Sequence, residues 1–171
     1  MFAALQLVAL IVFFEAIGLI GEFLTRPARS TWYASLRKPS WTPSEKLFAP
    51  VWGVLYLLMA IGTWIVLQLP YHNTAMAWLV GLLILNFMWT YVFFKQKNMQ
   101  SAFAELTILW IMAVVTTLCF FSLSVAAAVL MLPVVAWITF AGVLNIQVWM
   151  MNPPSNEIGA RHDLVSKGPT L

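Results

Sequence analysis

The stretch WYASLRKPSWTPSEKLFAPVW, residues 32–52, sets three tryptophans and three prolines among Arg37, Lys38 and Lys46, between two long apolar runs. A plain connector between membrane helices is short and polar; this one carries enough aromatic surface to pack. The flanking runs place it. The chain has 171 residues, 62% of them hydrophobic and 9% charged, whereas soluble domains carry about 25% charged residues. Apolar blocks of about 20 residues recur, each long enough to cross a hydrocarbon core of about 30 Å as a helix. A transmembrane β-barrel alternates apolar and polar positions, and these blocks do not.

The pattern therefore predicts an all-α membrane protein, a five-transmembrane-helix bundle with a long first loop acting as a lid. Helices are expected at about 3–24, 43–68, 73–94, 101–122 and 125–151. They form a single domain over 1–151, with the loop at 25–42 and a polar tail at 152–171 that looks extended or disordered. Thr42-Pro43-Ser44-Glu45 reads as a capping box, with Thr42 as N-cap and Pro43 in the first helical position. Pro50 and Pro133 are expected to bend their helices. The links LPYHN, KQKNMQ and SLS are short enough to join antiparallel neighbours.

Several function classes drop out. Cys119 is the sole cysteine and His72 and His162 are the only histidines, so no His/Cys metal cluster can form. A net charge of +3 does not point to nucleic acid. No P-loop or G-x-S-x-G occurs, and no cofactor is required by any motif. The first apolar run follows Met1 without a basic n-region or A-x-A site, as expected of a retained helix. All nine basic residues fall on one side: Arg26, Arg29, Arg37, Lys38 and Lys46 around the first connection, Lys95 and Lys97 in the third, and Arg161 and Lys167 in the tail. The positive-inside rule then puts the N-terminus outside and the long loop and C-terminus inside. A bacterial inner membrane fits this asymmetry, with an outer membrane or organelle as the alternatives.

Helical rise converts position into depth. Measured from the inner helix ends, Asn145 lies about 9 Å deep, Asn86 about 12 Å, Trp52 about 13 Å and Glu15 about 14 Å. Tyr56 and Trp137 fall near 20 Å by the same estimate. Trp52 and Tyr56 share a face, as do Asn86, Trp89 and Phe93; Trp137, Ala141, Asn145 and Trp149 step by four. Buried amides and indoles thus converge beneath the aromatic loop, whose Trp32, Tyr33 and Trp41 offer stacking faces to a flat, mostly apolar ligand. Arg37 and Lys38 are placed to meet carboxylates there. Singly, each feature has a plainer use: tryptophans form interfacial belts, asparagines bond across helices, and basic loop residues set topology. Glu15, in VFFEAIG, is the exception, because a mid-membrane carboxyl is costly and points to function. Glu22 and Arg26, one turn apart, read as a surface ion pair, and Glu105 as a charge favouring the start of the fourth helix.

The segments WYASLRKPSWTPSEKLFAPVWGVLYLLMA, LNFMWTYVFF with the following AFAEL, and LPVVAWITFAGVLNIQVWMMN resemble the TspO/MBR family. These are the tryptophan-rich sensory proteins related to the mitochondrial translocator protein (peripheral benzodiazepine receptor). The resemblance covers about 32–152, and W-Y-x-x-L-x-K-P-x-W-x-P followed by F-x-P-V-W-G-x-L-Y is its specific core. It implies a five-helix bundle, commonly a homodimer in the lipid bilayer, that binds protoporphyrin IX or haem in a pocket beneath the first loop. By motif position it implies ligand-binding roles for Trp32, Trp41, Trp52, Tyr56, Asn86, Trp89, Trp137, Ala141 and Asn145, beside Tyr33. Some members are associated with light-driven porphyrin degradation, for which Trp32 and Trp137 are the candidate catalytic residues here. Three departures stand out. Ile146 and Met150 replace the tyrosine and basic residue of the sterol-recognition pattern, which puts sterol binding in question; Pro133-Val134 replaces the usual P-Y, and Pro43-Ser44 a double proline.

The function these features imply is a membrane receptor or sensor for porphyrins and related apolar ligands, in tetrapyrrole regulation or transport. The alternatives are a light-dependent porphyrin-degrading enzyme and a transporter of tetrapyrroles or sterols. No conventional acid–base pair or nucleophile is present, and an odd number of spans without a repeat does not favour the transporter.

Overall fold

The computed structural model describes residues 2–153. The tail expected beyond Asn152 and Pro153, with Arg161 and Lys167, lies outside the described residues. Five helices are long and apolar enough to cross a membrane: α1 (Phe2–Ala28), α2 (Phe48–Leu67), α3 (Asn73–Phe94), α4 (Met99–Leu123) and α5 (Val125–Met151). No strand occurs among the described residues. In hydrocarbon each backbone N–H and C=O must be satisfied within its own segment, which a helix does.

The links between helices are closed locally. Ser124 serves α4 and α5 together. Its N–H donates to the Phe120 carbonyl at 2.7 Å, and its Oγ accepts the Ala127 N–H at 3.3 Å. Asn98 caps α4 by accepting the Ser101 N–H at 2.9 Å. Tyr71 and Lys97 take positive φ in the two intervening turns.

Close packing joins α1 to α2, α2 to α5, α5 to α4 and α4 to α3, while α3 meets α1 more lightly. The helices therefore run around a ring in the order α1, α2, α5, α4, α3. One expectation needs correcting. LPYHN joins α2 to α3, which are not a closely packed pair, because α1 stands between them in the ring. The solid core fills the other half of the bundle: Met59, Val66, Leu82, Leu109, Phe120, Met131 and Ile138 are buried there.

The first connection is shorter than 25–42. The helix continues through Ala28, and a π-helical turn carries it from Arg29 to Tyr33. Pro27 has no N–H to give, but its carbonyl takes hydrogen bonds from Thr31 Oγ1 at 2.8 Å and Ser30 Oγ at 3.2 Å. Lys38 ends the helical run: Nζ donates to the Tyr33 carbonyl at 2.6 Å and sits 4.6 Å from that ring's centroid. Beyond it the chain descends along α5. Asn152 clasps Arg37 in both directions, Arg37 N to Asn152 Oδ1 at 3.0 Å and Asn152 Nδ2 to Arg37 O at 2.8 Å. Trp41 then meets Phe140, and Phe48 meets Trp137.

The capping box is also replaced. Thr42 Oγ1 donates back to the Pro39 carbonyl at 2.7 Å, and Ser44 instead caps the short 3-10 turn Glu45–Leu47. That turn delays α2 until Phe48, so Pro50 falls in its first turn, where a missing N–H costs no intrahelical bond. Pro133 lies inside α5.

Candidate ligand-binding site

Between the inner halves of α1, α2, α3 and α5 lies a cavity of about 150 Å³. Sites that enclose a drug-sized ligand usually measure roughly 300–1,000 Å³. Of the sequence candidates, Tyr33, Trp52, Tyr56, Asn86, Trp89, Ala141 and Asn145 line it. Trp32, Trp41 and Trp137 do not. Trp32 sits behind the wall, edge-on to Phe93 at 5.5 Å, and Trp137 stacks on Phe140 at 5.3 Å. Trp41 is exposed and packs on the same Phe140.

Rotation about the axis does not explain why Trp137 misses: at about 100° per residue it falls within the arc that holds Leu144, Val148, Ala141 and Asn145. It lies one turn further from the inner end than Ala141, and its ring is taken up by Phe48 and Phe140. Trp149 is turned past Asn145 and off the wall.

The polar groups are sparse and specific. Tyr56 Oη donates to Asn86 Oδ1 at 2.8 Å, tying α2 to α3 across the cavity. Asn145 is 3% exposed, yet neither its amide nitrogen nor its oxygen has a protein partner. An unsatisfied buried amide costs about 1–3 kcal/mol and calls for a water or a ligand. The Trp89 indole N–H is likewise buried and unpaired. Around these groups the wall is aromatic. Trp52 lies 5.5 Å from Tyr56, and Trp89 stacks on Phe93 at 5.2 Å.

Several wall residues were not among the sequence candidates. Glu15, Gly18, Glu22, Thr25 and Arg29 face the cavity from α1. They recur at steps of three and four, which is one face of a helix, and that spacing was a readable signal. Gly18 makes room for the Tyr56 ring: a Cβ there would stand 2.8 Å from it. The expected Glu22–Arg26 pair is not formed. Arg26 is exposed, and Glu22 instead holds Arg29 two turns on, through a bidentate pair with Arg29 Nη1 2.7 Å from Oε2 and Nη2 on Oε1. Arg29 lies on the cavity face at the π-helical turn, whereas Arg26 points away.

Glu105 is corrected as well. It lies beyond the first turn of α4, where a dipole contribution has decayed, and both carboxyl oxygens are buried without a partner.

Comparison with known proteins agrees with this architecture. The chain matches the TspO/MBR family over residues 9–150. It is 36% identical over 150 residues to the tryptophan-rich protein TspO of Archaeoglobus fulgidus, covering 86% of this chain and 97% of that one. It is 36% identical to the translocator protein of Bos taurus, over 79% of this chain and 83% of the other. To the tryptophan-rich sensory protein of Cereibacter sphaeroides it is 36% identical, over 71% and 77%.

Proposed function

The chain belongs to the TspO/MBR family of membrane proteins, and from that premise we propose that it is a receptor or sensor binding porphyrins in the inner-half cavity. The observation that carries this reading is Asn145, a buried amide with both ends open, set in a wall of Trp52, Tyr56, Trp89 and Phe93. A planar macrocycle offers broad faces to those rings and polar edges to the amide. Metal ligation is not needed. His72 bonds the Leu69 carbonyl at the opposite end of the bundle.

The ligand enters a site smaller than itself, so binding requires the wall to open. Tyr33, Phe93 and Phe94 pack edge-to-face at the loop end and form the part of the wall that would have to part. The cluster of basic residues at that end supports a cytoplasmic placement of the loop, and of the ligand's carboxylates, by the positive-inside rule.

Titrating purified protein in lipid nanodiscs with metal-free protoporphyrin IX tests the reading. Saturable binding is expected, weakened by about tenfold or more in an Asn86→Ala, Asn145→Ala double variant. Binding that demands iron and vanishes on His72→Ala would overturn it. Photochemical degradation by the same site would engage Trp52 and Trp89, the indoles on the wall, before Trp32 or Trp137 in the layer behind.

A further inference from the structure

We propose that the cavity also accepts lipophilic aromatic amines as cations, with the Glu15 carboxylate as their counter-ion; this rests on the cavity being the ligand site. Glu15 lies 13 residues from the end of α1 at Ala28, about 20 Å along the helix and well inside the hydrocarbon. Its carboxyl is aimed inward: Oε2 is 3.7 Å from where a Gly53 side chain would begin, and both residues line the cavity.

The charges on the wall do not cancel. Glu22 and Arg29 neutralise each other in their bidentate pair. Glu15 is left over. Among the described residues no group hydrogen-bonds or ion-pairs with it. A lone carboxylate in the membrane interior is costly and is normally matched by a cation or a proton. Facing it, α2 presents Gly53 beside the rings of Trp52 and Tyr56, which pack against each other at 5.5 Å in a tilted pair. Aromatic faces attract ammonium groups, and a desolvated ion pair adds to that attraction. A two-ring aromatic amine is also far nearer in size to a cavity of about 150 Å³ than a porphyrin is.

The test uses 1-naphthylmethylamine and its uncharged counterpart 1-naphthylmethanol, titrated by calorimetry against the full chain in zwitterionic nanodiscs. Wild type is expected to bind the amine about tenfold or more tightly than the alcohol. In Glu15→Gln, which keeps the shape, and in Glu15→Leu, that ratio should fall to near one. An amine preference that survives Glu15→Gln, or none in wild type, overturns the proposal. Protoporphyrin IX titrated against wild type in parallel separates the two readings. Absent porphyrin binding alongside a Glu15-dependent amine preference overturns the porphyrin reading alone.

Discussion

Tyr56 is where a single side chain does most to shape the cavity. Its ring fills the space that Gly18 leaves open on α1, and its hydroxyl reaches Asn86 on α3. Tyr56→Phe should cost about 1–3 kcal/mol, because Asn86 Oδ1 would stay buried without a donor. Thermal unfolding in nanodiscs measures this, and adding Asn86→Leu should recover part of the loss. Gly18→Val should also destabilise, since its Cβ would stand 2.8 Å from the ring and displace the tyrosine that bonds Asn86. At this scale legibility was uneven. The spacing of Trp52 with Tyr56, and of Asn86 with Trp89, marked wall residues directly. The α1 stripe was equally periodic, but its glycines and threonine carry little chemical signal beside Glu15.

Among the elements, the first connection behaves least like a loop. Its beginning is helical and contributes Tyr33 and Arg29 to the wall; its remainder is a strap bound to α5. Asn152→Ala removes both hydrogen bonds to Arg37. Faster amide exchange is expected at residues 35–44, with the middle of α5 unchanged. Uniform protection would show that Trp41 alone anchors the strap. The α4–α5 hairpin depends on one residue, and Ser124→Ala should cost about 1 kcal/mol through the lost N-cap. Helix existence was plain from apolar run length. Proline and capping signals are local, and they point to an earlier end of α1 and an earlier start of α2 than the tertiary contacts impose. Lys38 on Tyr33 and Asn152 on Arg37 are such contacts, and the latter links positions 115 residues apart.

For the molecule as a whole, polarity across the bundle is the leading feature. One half is solid core and the other holds the cavity, with the basic residues beyond it. Cysteine labelling checks the orientation in intact cells, in a Cys119→Ser background. An impermeant maleimide should reach Tyr71→Cys, at a 90% exposed turn, without permeabilisation, and Lys97→Cys only after it. The reverse pattern would invert the assigned topology.

By itself the sequence determined that this protein is a five-helix membrane bundle of the TspO/MBR family, because run length, charge asymmetry and a dense local motif are all properties of neighbouring residues. Ring order, the separation of α2 from α3, the Glu22–Arg29 pairing and the retreat of Trp137 behind the wall were decided only in three dimensions. Each depends on how far a helix has rotated or on what it meets, and a periodic pattern leaves a buried face ambiguous when nearly every face is apolar.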